Sequence, residues 1–364
     1  MKRFFLSLML VGAFTAQAQL RNADVYEVTE IDHSMQRNVV EIPGFDGYQT
    51  LKCDFHIHTA FSDGSVWPDM RVEEAWQEGL DAIAITDHIE YRPHKEQLKG
   101  DLNESFKIAK KRGDELGFLV IHGSEITRSK PLGHLNALFL QDSNPLDVED
   151  PLKAIDEAKR QGAFIMWNHP GWPDDKSTLY PVHEELLKAN KIDGIEVFNF
   201  TEYYPKAFDW PAQYGKAFMG NTDIHGLISG LYGWGKLVRP VTLVFAKGRS
   251  EQAIREALFA HRTAVLFQDV LVGPAEYLSK LVMACFQVRQ INSGRLEVTN
   301  QSDISFKATV DGKLILLPAR TAVQMDLPQQ GPLVMQNCYV GQDKQLTFEL
   351  YELEGMLRGA MLEH

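Results

Sequence analysis

Between Leu51 and His225 short apolar runs recur with amphipathic stretches between them. The runs are LKCDFHIH, DAIAITDH, GFLVIHGSE, HLNALFL, AFIMWNHP, IDGIEVFN and AFMGNTDIH. The stretches fall near 68–80, 102–116, 150–161 and 181–190. Strand-length apolar runs alternating with helix-like segments predict parallel β/α units. Seven such strands predict a barrel rather than an open sheet. Polar residues keep a fixed place in this rhythm. His56 and His58, His88, Glu125, His169, and Asp223 with His225 all stand at the C-terminal end of a run, where β/α barrels assemble their sites. His134 departs from the rule, standing at the start of its run.

Beyond about residue 273 the pattern changes to short alternating strands with turn signals such as Asp311-Gly312 and no long helical period. The expectation is a β/α barrel over 51–273 and a small all-β, sandwich-like domain over 274–361. Residues 19–50 read as a polar, turn-rich extension. Residues 1–18 follow the grammar of a signal peptide: Lys2 and Arg3, an apolar run from Phe4 to Phe14, then Ala16-Gln17-Ala18. That run is short for a bilayer span. The chain is therefore expected to be exported, periplasmic or extracellular, with no stable membrane anchor. The closing Leu362-Glu363-His364 reads as a tag remnant, 362–364, and carries no argument.

Composition adds exclusions. The chain has 364 residues, 44% hydrophobic and 24% charged, an ordinary globular balance. A formal net charge of -12 disfavours capture of nucleic acid or an anionic membrane, which needs a surplus of Lys and Arg on one face. Cysteine is scarce for an exported chain: Cys53, Cys285 and Cys338 are an odd number. Cys53 reads as a small buried residue, and a Cys285–Cys338 bridge is left open.

His56 and His58 alternate along one strand, so they project to one side about 6–7 Å apart, within reach of one metal ion. Asp63, in the Ser62-Asp63-Gly64 turn, offers a hard oxygen to a neighbouring ion, and the glycine lets the backbone curl back to aim it. A lone histidine is usually a hydrogen-bonded structural residue. Nine His, Asp and Glu residues around one mouth are not, because buried carboxylates need a compensating charge.

Taken in order, DFHIHTAFSDG, AITDH, GSEIT, GHLNAL, NHPGW and NTDIH resemble the PHP family, named for polymerase and histidinol phosphatase. The resemblance covers roughly residues 51–270. It implies a distorted seven-stranded β/α barrel, TIM-like, with three metal ions at its mouth. Carried over, His56, His58 and Asp223 hold one ion. Glu125 bridges to a second, bound also by His134 and His169. Asp63, His88 and His225 hold the third. Imidazole and carboxylate without thiolate suit Zn, Mn or Fe. The resemblance further implies a metal-dependent phosphoesterase in which two ions bridged by Glu125 activate a hydroxide while the third binds phosphoryl oxygens.

The expected substrate is a small phosphate ester. One alternative is a phosphodiesterase acting on cyclic or lipid-derived phosphates. Another is a metal-stabilised glycan-binding module without catalysis. Outside the metal set, Asp87 is a candidate to orient a ligand histidine or to satisfy backbone amides, and Arg92 a candidate phosphate clamp. His94, His183 and His261 read as surface residues. Aromatics in the loops, among them Trp167, Trp172, the FNFTEYY run and the LYGWG run, are candidates for stacking on a substrate ring.

Overall fold

The computed structural model describes residue 24 and residues 35–233, 239–327 and 331–349. The expected leader and the tag remnant lie outside the described residues. Seven strands form where the apolar runs predict them: β1 (Gln49–Asp54), β2 (Ala82–Ile85), β3 (Leu119–Ile126), β4 (Leu135–Leu138), β5 (Phe164–Trp167), β6 (Gly194–Asn199) and, after the short β7 (Glu202–Tyr203), β8 (Ala217–Asn221). Helices α1 (Pro68–Gln77), α2 (Glu104–Leu116), α3 (Pro151–Arg160) and α4 (Pro181–Lys188) fill the amphipathic stretches. The ends of α3 show why. The Asp150 side chain caps it by accepting from Leu152 N, Pro151 supplies a preset φ, and Lys159 and Arg160 close the last turn. Its buried Ala154, Ile155 and Ala158 recur at helical spacing.

The expected parallel pattern holds except at β4. Strands β1, β2 and β3 pair in parallel, as do β5, β6 and β8. Strand β4 is antiparallel to both β3 and β5. Only residues 127–134 separate β3 from β4, too few for a helical crossover, so the chain turns straight back. The reversal explains His134. The start of β4 lies at the same edge as the C-terminal ends of its neighbours, so the apparent exception obeys the same geometry.

Past their ends β1 and β8 meet. Phe55 N donates to Asn221 Oδ1 at 2.8 Å, Asp223 N to His56 O at 2.8 Å, and His58 N to Ile224 O at 3.2 Å. Ile57 and Ile224 form a parallel bridge.

After the short α5 (Trp210–Tyr214) and α6 (Ile228–Tyr232), β9 (Val241–Ala246) runs antiparallel to β1, and α7 (Glu251–Phe259) and β10 (Thr263–Phe267) follow. Strand β11 (Val270–Val272) leads into α8 (Ala275–Cys285). This eleven-residue helix corrects the expectation that no long helical period follows residue 273. Its buried Leu278, Leu281, Val282 and Cys285 step at three and four residues, a pattern overshadowed by the alternation that follows.

The remaining strands are β12 (Phe286–Asn292), β13 (Arg295–Asn300), β14 (Phe306–Val310), β15 (Lys313–Leu317), β16 (Ala322–Asp326), β17 (Leu333–Gly341) and β18 (Lys344–Phe348). Strands β12, β13 and β16 form a separate sheet, while β14, β15, β17 and β18 extend the large one, because β11 pairs in parallel with β17. The result is a mixed α/β fold with a large mixed sheet. One apolar cluster runs from Ile83 and Leu243 through Leu278 and Leu281 to Phe306, Met335 and Phe348. Cys53, Cys285 and Cys338 are buried and free, so the Cys285–Cys338 bridge is not formed. Among the described residues no helix is long and apolar enough to cross a membrane.

Candidate metal centre

All nine residues picked out for metal binding converge at one edge of the large sheet. They form four overlapping groups: His58, Asp63, His88 and His225; His56, His58 and Glu125; His56, His169 and Asp223; His88, Glu125 and His134. Within each group the candidate ligand atoms lie within 4.8 Å of one another. Two details differ from the expected sets. His56, His58 and His88 each belong to two groups, and His169 groups with His56 and Asp223, although its Nε2 is also 3.8 Å from Glu125 Oε1.

The histidines are held by their outer nitrogens. His56 Nδ1 lies 3.1 Å from Glu196 Oε1, His58 Nδ1 3.3 Å from Ser62 Oγ, His88 Nδ1 2.6 Å from Thr127 Oγ1 and His225 Nδ1 2.8 Å from the Asp223 carbonyl. His56, His58 and His225 so leave Nε2 facing inward, the arrangement that fixes ring orientation in metal sites, whereas His88 turns both nitrogens to cluster acids, Nδ1 to Glu125 Oε2 (2.5 Å) and Nε2 to Asp63 Oδ1 (3.4 Å). The inner atoms crowd the carboxylates: His56 Nε2 is 3.2 Å and His58 Nε2 3.0 Å from Asp223 Oδ1, and His225 Nε2 is 3.1 Å from Asp63 Oδ1. His134 instead presents Nδ1, 3.0 Å from Glu125 Oε1. Two of the nine hold left-handed backbones, His169 at φ 24° and Asp223 at φ 52°. Such conformations cost about 1 kcal/mol or more in a non-glycine residue. Hydrogen bonds from His169 N to Glu196 Oε2 (2.7 Å) and from Asp223 N to His56 O oppose that cost.

Five buried polar atoms of this cluster have no hydrogen-bond partner: His56 Nε2, His58 Nε2, Asp63 Oδ1, Glu125 Oε2 and Asp223 Oδ1. Buried orphans are costly, and here they point at each other, with no lysine or arginine paired to them among the described residues. The electrostatics say the same. Burial opposes ionisation of Glu125, yet His134 and His88 hold it well below the usual carboxylate range. Burial also opposes ionisation of Asp63, but the adjacent His225 and His88 imidazoles hold it below the usual carboxylate range. Burial pulls the His88 imidazole down, but Glu125 and Asp63 raise it to about 10. Burial and the neighbouring His88 push His58 down to about 4. Such uneven sharing of protons is what metal ions would relieve, because they bind the deprotonated ligands and release the protons. The donor set, all imidazole and carboxylate, fits borderline divalent ions.

Several residues that complete the site were not singled out from the sequence. Glu196, fully buried, accepts from His169 N and from the Asn199 (3.0 Å) and Asn221 (2.9 Å) side chains besides meeting His56. An acid inside the apolar run IDGIEVFN is the signal that marks it. Asn168 donates to Glu125 Oε1 at 2.8 Å. The buried Arg71 guanidinium donates to the carbonyls of His58, Ile224, His225 and Gly226, tying the first histidine loop to the last.

The two further candidates divide. Asp87 meets no ligand ring. Its carboxylate accepts from Thr59 N (2.7 Å), Thr59 Oγ1 (2.7 Å) and Ser62 Oγ (2.6 Å), and so reaches His58 through Ser62. Arg92 is half-buried in its loop, and its guanidinium makes no hydrogen bond or ion pair among the described residues. His94 is exposed, as expected. His183 is not: it is buried under Trp167, ring centroids 3.7 Å apart, and its Nε2 is 2.7 Å from Leu132 O. His261 is half-buried just past the end of α7, with φ 56°.

A mixed α/β fold that gathers histidines and carboxylates at its strand ends defines a metal-dependent enzyme. The PHP domain profile matches residues 54–219. A two-domain protein of Bacteroides vulgatus, described as containing a predicted PHP-like metal-dependent phosphoesterase, is 40% identical with a TM-score of 0.82, over 86% of this chain and 98% of that one. An uncharacterized protein of Methanocaldococcus jannaschii is 37% identical over 81 residues, 22% of this chain and 36% of the relative. The lesion-specific endonuclease of Pyrococcus furiosus aligns at 15% identity and a TM-score of 0.39, over 62% of this chain and 59% of that one. The chain belongs to the PHP family of metal-dependent phosphoesterases.

Proposed function

We propose that the chain hydrolyses a small phosphate ester at a centre of three divalent ions, Zn, Mn or Fe, held by His56, His58, Asp63, His88, Glu125, His134, His169, Asp223 and His225. The observation that carries this reading is the set of five orphaned buried atoms at the point where all nine residues meet. When bound, such ions polarise a phosphoryl oxygen and lower the pKa of water.

The chain's own residues do the rest. Glu125, with one oxygen toward His134 and the other toward His88, spans two of the groups. Burial grades across the site. The His56, His58 and Glu125 side chains are fully buried, whereas Asp63 is partly open and His225 is 40% exposed. Substrate therefore arrives on the Asp63–His88–His225 side, where those residues present the group nearest solvent to its phosphoryl oxygens. The meeting of β1 with β8 supports reading the seven strands as a distorted barrel. The two-domain description of the Bacteroides vulgatus relative supports a barrel over 51–273 with a β domain over 274–361. Export through residues 1–18 belongs to the same proposal, and a mature N-terminus near Gln19 in the envelope or medium of the native host checks it.

The test is turnover of a phosphoester panel after reconstitution with Mn, Zn or Fe, with metal content measured in the same sample. Metal-dependent hydrolysis of a monoester is the expected result. No turnover of any ester by metal-loaded protein contradicts the proposal, and faster turnover of diesters reassigns the substrate.

A further inference from the structure

Trp172 is a large apolar ring left open beside the metal-site histidines. Its indole lies 4.9 Å from the His134 ring and 5.5 Å from the His169 ring, centroid to centroid, yet the residue is 51% exposed. The turn beneath it is pinned. Trp172 N donates to His169 O (3.0 Å), Lys176 N to Gly171 O (3.1 Å), and Lys130 Nζ pairs with Asp174 and donates to Lys176 O (3.1 Å). Gly171 is pressed against Tyr204 so closely that a Cβ there would come within 2.6 Å of the ring. A cleft lined by His134, His169, Trp172, Thr178 and Tyr180 runs alongside. The exposed half of the ring gains nothing from folding. Holding one rigidly at a catalytic mouth makes sense when a ligand covers it.

We propose that Trp172 is a specificity-determining platform for a flat ring in the leaving group, the substrate class being an aryl phosphate. The inference rests on the phosphoesterase reading above and narrows it. A ring stacked on the open indole face keeps its centroid about 4.5–7 Å from that of Trp172, the same range as the distances from Trp172 to the His134 and His169 rings. That reach suits a ring joined directly to the ester oxygen. A nucleotide base stands off from its phosphate by a whole sugar.

The experiment compares kcat/KM for phenyl phosphate and glycerol phosphate in the full chain reconstituted with Mn, for wild type, Trp172→Ala and Trp172→Phe, with metal content recorded for each. The ratio of phenyl to glycerol phosphate is expected to fall about tenfold in Trp172→Ala, mostly through KM, and to be largely kept by Trp172→Phe. An unchanged ratio overturns the proposal. This includes the case in which only a nucleoside 5′-monophosphate loses ground, which would put a base on the indole. Equal loss on both esters together with loss of metal makes Trp172 a packing residue and also overturns it. Metal-loaded wild type that turns over other esters but not phenyl phosphate overturns the proposal and leaves the phosphoesterase reading standing, whereas no turnover of any ester of the panel defeats that reading itself, a separate outcome.

Discussion

Two buried groups of charge lie a few residues apart in this chain and are built on opposite principles. In one, Arg239 donates to Asp54 Oδ2 (3.0 Å) and through Nε to Glu78 Oε2 (2.8 Å), while Thr222 donates to Asp54 from both its backbone and its hydroxyl. One guanidinium serves both acids, and Thr222 adds hydrogen bonds to Asp54. In the other, Asp63, Glu125 and Asp223 face imidazoles and, at Glu125, the Asn168 amide, with no lysine or arginine paired to them among the described residues, and each keeps an unpaired oxygen. The first group is complete as folded. The second is complete only with charge supplied from outside, and the pattern of satisfied and unsatisfied atoms separates a structural cluster from a metal centre.

The largest effect that would break this contrast is at Glu125. Glu125→Ala is expected to lose bound metal and activity together, by more than the roughly 100-fold that follows removal of a ligand's supporting partner, while the fold survives. Full activity in that variant, measured beside elemental analysis, would sink the metal assignment. Arg239→Met should do the reverse. Leaving Asp54 and Glu78 buried without their cation should cost about 3–5 kcal/mol in denaturant unfolding, with metal stoichiometry retained by the folded protein. Loss of metal without loss of stability would merge the two clusters into one.

Histidines repeat the distinction. His122 is buried, stacked on Phe106 with ring centroids 4.2 Å apart, and its Nε2 is 3.0 Å from Ser143 Oγ. It and His183 are both pushed down to about 4, chiefly by burial. A folded pKa below the unfolded value near 6.5 means their contribution is full above pH 6.5 and drains away as pH falls toward 4. Each accounts for on the order of 3 kcal/mol across that window. Urea unfolding of metal-free protein at several pH values, wild type against His122→Gln, checks this: the variant should show the shallower acid loss, and equal slopes would refute it. The smallest effect expected is at Glu196. Glu196→Gln should weaken metal binding about 10–100-fold, read by competition with a chelator, and unaltered affinity would make Glu196 a purely structural acid.

The sequence makes the ligands legible because a metal site needs rare residue types at fixed places. His56, His58, His88, Glu125, His169, Asp223 and His225 stand out against apolar runs, and the strand-end rule puts them on one edge. What escaped depends on partners far along the chain. His183 reads as polar and exposed until Trp167, at the end of β5, covers this face of α4. Asp87 sits beside His88 in sequence but spends its oxygens on residues 59–62. The reversal of β4 was signalled by the short 127–134 interval and by the odd position of His134, two clues that agree once direction is allowed to change. The α8 residues carry a helical period over a single short stretch, which the alternation after them outweighs.

The most direct test of the central claim is a count of ions. Metal-free protein would be equilibrated with Mn, separated from free metal and measured by elemental analysis, with folding followed by circular dichroism. The account predicts about three ions per chain, with phosphoester turnover rising as they fill. Folded protein that retains no ion would contradict it, as would full turnover in the metal-free state.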